Sequence, residues 1–461
     1  MNYLVVGAGN ASRPVARLLN YLGHNVIITD LKDKSSFKIE FQRSLNEMES
    51  EGVILDLGNL NPSLDGVDAV YMPPTLPETA LIAKLIEKSD VKILTNEEFS
   101  KIVNDLIPVD IIGITGTMGK TTTTFITTSL FKGAGYNVWS CSSLVNNLVS
   151  EAIIDGIVKG KAQECDIAIF ELPHGTIGLL NRLDVKIGLL TNIAEDHLSE
   201  FGGSIELYQQ RKLLLESMSE TFIANYSCYD IINSKRNDAL YYALNEDVDF
   251  KGTVGDDSLT VQYNNDSFTA PFYMMSYFFE NSVAASAIAL TYGINKEDII
   301  SSLTEFKGLP AHMDDVGTYN GRKVILDSAF LYDGMKITLD YFKDESVVLF
   351  LDHFDTLSVR DKAEVGQLIS NYDIKVVIAS GFNEVTQTVE IEAAQEILDA
   401  ISNPGIEKVA VETIEKAAEL TFKYSEPGDI ILHMGPLIAY DRLTTVEKIM
   451  KGLEKGSKKY E

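Results

Sequence analysis

The sequence is poor in cysteine and carries no obvious export signal. Its three cysteines, Cys141, Cys165 and Cys228, form neither a short Cys spacing nor a Cys/His cluster. This pattern excludes a disulfide framework and a structural zinc site, and it predicts a reducing, cytoplasmic compartment. The N-terminus has no basic segment or cleavable apolar stretch, and no apolar run reaches membrane-spanning length. We therefore expect no secretory leader and no membrane insertion.

Basic side chains are also scarce, at 39 against 67 acidic ones, which gives a formal net charge of −28. This charge opposes nonspecific binding to phosphate backbones and anionic lipid, so polymeric nucleic acid is not an expected partner. An acidic protein that binds nucleotide phosphates must concentrate positive potential locally, through backbone N–H groups, a few cationic side chains and divalent metal.

The 461 residues favour two or three domains, and apolar strand runs alternate with helical patterns along the whole chain. The fold class predicted is α/β, with parallel or mixed sheets. We predict an N-terminal Rossmann-like domain at residues 1–108, a central P-loop ATPase-type domain at 109–311 and a C-terminal Rossmann-like domain at 312–461. The Lys-rich tail after Ile449 is expected to be a solvated, frayed end.

A phosphate-binding loop follows the apolar strand at residues 111–114. It reads Thr115-Gly116-Thr117-Met118-Gly119-Lys120-Thr121-Thr122, leads into a helical pattern and matches GxxGK[ST]. The glycines let successive N–H groups converge on one anion, Lys120 supplies a mobile positive charge, and the Thr121 hydroxyl can bind Mg²⁺. A glycine-rich turn with an incidental lysine is the structural alternative.

Two further strands deliver polar side chains to the same predicted sheet edge. Glu171 ends the apolar run 167–170, and Thr191-Asn192-Ile193-Ala194-Glu195-Asp196-His197 follows the run 187–190. Adjacent strand ends face one crevice in a doubly wound sheet, so Lys120, Thr121, Glu171 and His197 can converge on a metal–nucleotide complex. The structural alternatives, for each residue considered alone, are a solvated cap for Glu171 and a helix-start histidine for His197.

The first βα turn, Gly7-Ala8-Gly9-Asn10-Ala11-Ser12, is an incomplete GxGxxG with Ser12 in place of the third glycine. Asp30 ends the next strand, where a ribose hydroxyl is expected. Read directly, this pattern indicates NAD binding.

These residues together resemble the Mur ligase family, most strongly over 111–215 and more weakly over essentially the whole chain. The resemblance implies an ATP-dependent ligase with two Mg²⁺ sites. Residues 113–122 resemble the family's ATP loop, with Met118 where Asn is commonest, and 191–197 resemble the segment whose histidine assists metal binding. The catalytic residues implied are Lys120, Glu171, His197 and Lys212, and the metal ligands are Thr121, Glu171, His197 and Lys212.

Lys212 lies fifteen residues beyond His197, at the spacing of the family lysine that is typically carbamylated by CO₂. Carbamylation turns a cation into a carboxylate, which can bind a second Mg²⁺. A solvent-facing helical lysine is the structural alternative.

Three more positions resemble nucleotide contacts of the family. Asn281 resembles the adenine-contacting asparagine, although Tyr277-Phe278 replaces the usual His-Asn pair before it. His312 stands where an interdomain Arg often contacts phosphate. Asp327 resembles the ribose-contacting aspartate, and Ser328-Ala329-Phe330 after it lacks the Lys or His of many members.

Within this family the N-terminal loop implies a UDP-linked precursor in place of NAD, held by Gly7, Gly9, Asn10, Ala11, Ser12 and Asp30. An amino acid is the second substrate. The departures at Met118, Tyr277-Phe278, His312 and Phe330 are similar to the archaeal ligases that build the pseudomurein peptide. A bacterial-type UDP-muramoyl amino acid ligase and a tetrapyrrole-coenzyme amide ligase are the alternatives. An NAD-binding oxidoreductase and a nucleotide-dependent regulatory or scaffold protein represent other classes.

Overall fold

The computed structural model describes residues 1–460 apart from 38, 75, 79, 145–147, 197, 233–236, 273, 275, 354–361, 384–387 and 436–441. One compact unit comprises Met1–Tyr273 and Phe278–Phe306, and a second comprises Met274–Tyr277 and Lys307–Glu461. Over the described residues, no helix is both long enough and apolar enough to cross a bilayer. Three large sheets follow one another along the chain, as three α/β domains require. The boundaries at 108/109 and 311/312 stay predictions.

The first sheet is built by the N-terminal residues. Its elements are β1 (Asn2–Val6), α1 (Ser12–Tyr21), β2 (Asn25–Asp30), α2 (Ile39–Ser50), β3 (Ile54–Leu57), β4 (Ala69–Tyr71), α3 (Leu81–Glu87), β5 (Lys92–Leu94) and α4 (Asn96–Asp105). The strand order is β3-β2-β1-β4-β5, with all neighbours parallel. Helix α4 begins at a capping box in which Thr95 and Glu98 bond each other's backbone N–H.

The second sheet has nine strands. Its elements are β6 (Asp110–Thr115), α5 (Lys120–Gly133), β7 (Val138–Cys141), α6 (Val149–Val158), α7 (Lys161–Glu164), β8 (Ile167–Glu171), α8 (His174–Leu179), β9 (Val185–Leu190), α9 (Ile205–Lys212), α10 (Leu214–Met218), β10 (Ser219–Asn225), α11 (Tyr229–Ile232), β11 (Leu240–Leu244), β12 (Phe250–Val254), β13 (Ser258–Tyr263), β14 (Asp266–Pro271), α12 (Ser276–Tyr292) and α13 (Lys296–Glu305). The order is β14-β13-β12-β11-β10-β9-β6-β8-β7. Strand β13 pairs antiparallel with both β12 and β14, whereas the other neighbours from β12 to β7 pair parallel.

Continuous apolar runs explain the centre of this sheet. All five residues of β8 are buried, as are the last five of β6 and the last four of β9. Such strands are typical of parallel sheets covered on both faces. Because β6 lies between β9 and β8, their carboxyl ends meet at one edge.

The third sheet belongs to the second compact unit. Its elements are β15 (Asp314–Tyr319), β16 (Arg322–Asp327), α14 (Tyr332–Tyr341), β17 (Val347–Leu351), α15 (Lys362–Ile369), β18 (Ile374–Ser380), β19 (Phe382–Asn383), β20 (Thr388–Val389), α16 (Ile391–Ala400), β21 (Glu407–Val411), α17 (Ile414–Tyr424), β22 (Ile430–Met434) and α18 (Arg442–Lys459). The order β15-β16-β22-β17-β18-β21 is parallel except for the β15–β16 pair. Strands β19 and β20 form a separate antiparallel pair.

The expectation of a frayed tail after Ile449 is wrong, because helix α18 continues to Lys459. Ile449 and Leu453 are fully buried. The Glu419 carboxylate of α17, itself 1 % exposed, pairs with Lys416, Lys455 and Lys459 at 3.0, 2.9 and 2.7 Å. Lys455 and Lys459 belong to the tail. Their charges, which the sequence predicts to be solvated, instead attach α18 to α17 through Glu419.

Glu419→Gln should therefore destabilise the chain. The lysine hydrogen bonds, that of Lys459 foremost, lower the Glu419 pKa to about 2 from 4.5. Its stabilisation is thus fully present above pH ~4.5 and is lost as the pH falls through about 2. Allowing for the exposure of the lysines, we expect a loss of about 1–2 kcal/mol at pH 7 in urea unfolding.

Glu454→Gln is the matched control for this measurement, because Glu454 of α18 pairs with Lys458 at the surface. It should leave the unfolding midpoint unchanged. Equal shifts in the two variants would contradict a special role for Glu419.

Candidate active site

The phosphate loop joins the carboxyl end of β6 to the first turn of α5. Its glycines have positive φ, 141° at Gly116 and 77° at Gly119, and Gly119 is the N-cap residue of α5. A Cβ on Gly116 would lie 2.0 Å from the Thr191 Oγ1, and one on Gly119 would lie 2.5 Å from the Asn281 Oδ1. Both positions therefore require glycine, which argues against an incidental turn.

The loop backbone is fixed by the segment that follows β9. Thr117 N and Met118 N donate to the main-chain and side-chain oxygens of Asn192, at 3.0 and 2.9 Å. Thr191 Oγ1 donates to the Met118 carbonyl at 2.5 Å, and Thr117 Oγ1 lies 3.1 Å from the Tyr208 hydroxyl. These bonds set the direction of the loop's peptide groups and hold it ready for an anion.

The first two side chains of α5 bond to the end of β8 and to the loop itself. Thr121 Oγ1 donates to Glu171 Oε2 at 3.1 Å, while Lys120 Nζ donates to the Thr117 carbonyl at 2.6 Å. Glu171 is 1 % exposed, so the interpretation of it as a solvated cap is wrong. Thr121 and Glu171 are thus in direct contact at this edge of the sheet.

Ser143 is a residue of this cluster that sequence reasoning missed. Its N and Oγ donate to Glu171 Oε2 at 2.9 and 3.1 Å, and its Oγ lies 2.9 Å from Thr121 Oγ1. Ser143 follows β7, the edge strand paired with β8. Like Glu171, Ser143 is a polar residue at the end of an apolar strand, and this sequence pattern could have identified it. The pattern was missed because β7 was not recognised as a strand in the sequence.

Lys212 is the last residue of α9 and is 1 % exposed, so the alternative of a solvent-facing lysine is wrong. Its Nζ lies 5.2 Å from the ring centroid of Tyr208, one turn earlier on the same helix. Burial first, and then the Lys120 charge, holds the pKa of Lys212 well below its usual range. This shift favours the neutral amine, which is the form that reacts with CO₂.

The donors at this edge suit a hard cation. Thr121 and Ser143 offer hydroxyl oxygens and Glu171 a carboxylate, the ligand types that Mg²⁺ prefers. Apart from the gaps in the described chain, no group of three or more His, Cys, Asp or Glu side chains is placed to hold a metal. The predicted ligand His197 lies outside the described residues.

Asn281, the predicted adenine contact, is near the phosphate loop. Its Oδ1 accepts a hydrogen bond from Thr123 Oγ1 of α5 at 3.1 Å. Phe278, on the same helix, packs its ring edge on Phe306 in the core, at 5.5 Å between centroids. The side chain of Tyr277 lies outside the described part of the chain.

His312 and Asp327, the other predicted nucleotide contacts, belong to the second compact unit. Asp327 ends β16 and accepts from Thr338 Oγ1 at 2.5 Å and from Met313 N at 3.2 Å. Burial raises its pKa to about 6. The flanks of His312 are left-handed, with φ of 58° at Ala311 and 51° at Met313, strain of the kind that collects at functional sites.

The N-terminal loop is held by Asp30. The two carboxylate oxygens of Asp30 accept from Ala8 N and Lys32 N, each at 2.8 Å. Ser12 Oγ donates to the Val6 carbonyl at 2.8 Å, and within the described part of the chain no side chain caps the start of α1. The predicted residues Gly7, Gly9, Asn10, Ala11 and Ser12 thus form one turn ahead of α1, and Asp30 holds that turn from the end of β2. A turn between a strand and a helix start suits an anion.

Gly116→Ala tests the phosphate loop directly. The added methyl meets Thr191 Oγ1 and forces a strained φ, so we expect a destabilisation of about 1–3 kcal/mol and at least a tenfold weaker ATP affinity. Thermal unfolding and calorimetric titration with ATP measure the two effects.

Gly135→Ala is the matched control for this substitution, with φ of 90° and nothing within 4 Å of the new methyl. It should lower stability through strain alone and leave ATP binding intact. Unchanged ATP affinity in the Gly116 variant would contradict the role of this loop.

A phosphate loop in the central sheet, with a hydroxyl and a carboxylate at adjacent strand ends, defines a nucleotide-binding α/β protein. The Mur ligase middle domain family matches residues 114–289. The chain is also 26 % identical to the UDP-N-acetylmuramoylalanine–D-glutamate ligase of Staphylococcus saprophyticus, over 97 % of this chain and 94 % of that protein. The chain belongs to the Mur ligase family, whose members are ATP-dependent amide-forming ligases.

Other relatives extend the match. An uncharacterised protein of Methanothermobacter thermautotrophicus is 36 % identical over 47 % of this chain and 70 % of that protein. The fold is similar to a pseudomurein peptide ligase type C from Methanothermus fervidus, with TM-score 0.61 and 19 % identity over 99 % of both chains. It is also similar to a MurF ligase from Thermotoga maritima in complex with ADP, with TM-score 0.64 and 16 % identity over 95 % and 96 % of the two chains. The predicted three-domain α/β fold is confirmed.

Proposed function

We propose that this ligase joins the carboxylate of a UDP-linked cell-wall precursor to an amino acid in the synthesis of the pseudomurein peptide. The observation that carries the reaction is the cluster of Lys120, Thr121 and Glu171 at the carboxyl ends of β6 and β8, with the buried Lys212 of α9 within reach of the Lys120 and Glu171 charges. These groups come from three separate segments of the sequence and together offer the cationic, hydroxyl and carboxylate groups that phosphoryl transfer uses.

The charges of the cluster suit activation of a carboxylate. The carboxylate oxygen attacks the γ-phosphorus of ATP, the bond to the bridging oxygen breaks, and ADP leaves. Lys120 offsets the negative charge that spreads over the transferring phosphoryl group. The incoming amine then attacks the acyl phosphate carbon, loses a proton and expels inorganic phosphate, which leaves the amide.

Magnesium is expected at the oxygen donors of this cluster. Thr121, Glu171 and Ser143 would hold one ion, and a carbamylated Lys212 together with His197 would contribute to a second. When bound, Mg²⁺ supplies charge that reduces repulsion between the carboxylate and the triphosphate. Lys212 supports this assignment through its burial and through a pKa lowered mainly by desolvation, which makes its amine nucleophilic toward CO₂.

A UDP-linked precursor is assigned to the N-terminal loop. The turn that leads into α1 presents its backbone to a diphosphate, and the Asp30 carboxylate lies at the end of β2, where a ribose is expected. His312 and Asp327 are proposed as contacts to the ATP phosphates and ribose, and Asn281 as the contact to adenine.

The pseudomurein assignment rests on the departures at Met118, Tyr277-Phe278, His312 and Phe330, and the likeness to the Methanothermus fervidus ligase supports it. A bacterial-type substrate is the second candidate, favoured by the full-length likeness to UDP-N-acetylmuramoylalanine–D-glutamate ligase. Both candidates share the reaction and differ in the acceptor peptide.

Phosphate release from ATP tests the proposal against its alternatives. The purified chain is incubated with ATP, Mg²⁺, a panel of amino acids, and either UDP-linked pseudomurein-type peptides or UDP-muramoyl peptides. Release that needs both a pseudomurein-type peptide and one amino acid supports the proposal, and release with the muramoyl series selects the second candidate. ATP binding without release would indicate a regulatory role, while NAD binding without ATP binding would indicate an oxidoreductase.

A further inference from the structure

Arg13 is a cation buried directly beneath the N-terminal loop. It is the second residue of α1, and its side chain is 0 % exposed. Desolvating a guanidinium is strongly unfavourable unless its N–H groups find acceptors, so a buried arginine requires specific partners. The bonds that Arg13 makes therefore reveal what it holds in place.

Two of those bonds go to the loop itself. Arg13 Nη1 donates to the Ala8 carbonyl at 2.7 Å, and Nη2 donates to Asn10 Oδ1 at 3.3 Å. The Ala8 N–H is already taken by Asp30 at 2.8 Å, so the residue is held at both its N–H and its carbonyl. Fixing these two groups limits the rotation of the loop backbone.

The rest of the guanidinium is anchored outside the loop. Arg13 Nε donates to Glu151 Oε1 of α6 at 2.5 Å, and the guanidinium carbon lies 3.5 Å from the ring centroid of Phe41. Glu151 is on a helix of the central sheet, whereas Phe41 is on α2. Arg13 thus ties the loop to a rigid element of the neighbouring sheet.

We propose that Arg13 is a positioning residue that sets the loop 7–12 in its anion-binding shape by bracing it against α6. This inference rests on the proposed function, in which the loop binds the diphosphate of a UDP-linked precursor. Arg13 acts indirectly, through its hydrogen bonds to Ala8 and Asn10. The backbone N–H groups of the loop make the contact with the ligand. A rigid loop pays less conformational entropy on binding, so loss of the brace weakens precursor binding and leaves the ATP site unaffected.

Arg17 provides a matched control one turn further along α1. It pairs with Asp155 of α6 at 2.5 Å and with Glu47 of α2 at 3.6 Å, so like Arg13 it links α1 to α6 and α2. Its ion-pair partners, Glu47, Glu51 and Asp155, all lie outside the loop. Substitution of Arg17 therefore reports on the helix packing alone.

The test compares Arg13→Gln with Arg17→Gln by calorimetric titration with UDP and with ATP. Arg13→Gln is expected to raise the Kd for UDP at least about tenfold, and Arg17→Gln less than about threefold, with the Kd for ATP unchanged in both. Arg13→Lys, which keeps the charge but loses the fork of donors, should give an intermediate Kd. A Kd for UDP that is unchanged in Arg13→Gln, or shifted equally in both variants, would overturn the inference.

Amide hydrogen exchange separates this inference from the proposed function. In Arg13→Gln the amides of residues 8–12 should exchange at least about tenfold faster than in the wild type, and in Arg17→Gln at the wild-type rate. If the wild-type chain does not bind UDP, the precursor assignment fails, and exchange alone decides whether Arg13 holds the loop. Wild-type exchange rates in Arg13→Gln would then show that it does not.

Discussion

Lys120→Ala is expected to lower phosphate release at least about 10³-fold, because the lysine offsets charge that develops only as the phosphoryl group transfers. Its Nζ lies 2.6 Å from the Thr117 carbonyl, within the loop that is expected to hold the triphosphate. The effect should appear in kcat, whereas the Kd for ATP should rise about tenfold or less, since the backbone N–H groups of the loop remain.

Lys132→Ala serves as the control, because Lys132 is an exposed lysine in the last turn of the same helix, α5. It removes the same charge from the protein without touching the loop. The comparison is made by steady-state kinetics at saturating ATP. If Lys120→Ala retained more than about a tenth of the wild-type turnover, Lys120 would not be the group that stabilises the transferring phosphoryl group.

Lys212→Ala is expected to lower turnover about 10²-fold, because it removes the group proposed to become a metal-binding carboxylate. Short carboxylic acids such as formate or acetate should restore part of that loss by entering the space left by the side chain. Lys212→Met fills the same space without an ionisable group, so it should be equally slow and should not respond to these acids.

The carbamate itself is detectable by carbon NMR with labelled CO₂. The lowered pKa of Lys212 favours its neutral amine over the ammonium, so a carbamate signal is expected at pH 7. The signal should weaken as the pH falls, because protonation removes the reactive amine. Wild-type turnover in Lys212→Ala, or rescue of Lys212→Met by acetate, would count against carbamylation.

Short-range patterns predicted the parts of the site that depend on local backbone geometry. The loop Thr115–Thr122 was identified because its glycines stand between an apolar strand and a helix, and both glycines have positive φ. Glu171 was identified because a charged residue ended a strand that is otherwise apolar. Both features depend only on residues that are neighbours in the chain, so they can be recognised from the sequence.

Contacts between distant residues were not predictable in this way. Ser143 joins Thr121 and Glu171 only because β7 pairs with β8, and β7 is a short strand with one polar residue among its four. Arg13 gave no signal, since its role depends on Glu151, 138 residues away. The sequence predicted a solvated tail, because Lys455 and Lys459 pair with Glu419 only when α18 packs on α17.

The sequence by itself determined the class of fold, the phosphate loop and the strand ends, because periodicity and glycine placement act through local sterics and through the hydrophobic face of each element. Only the tertiary structure decided that Lys212 is buried and desolvated and that Arg13 bonds to the N-terminal loop. Burial and ion pairing depend on elements brought together from far along the chain, and these contacts shift a pKa or fix a side chain.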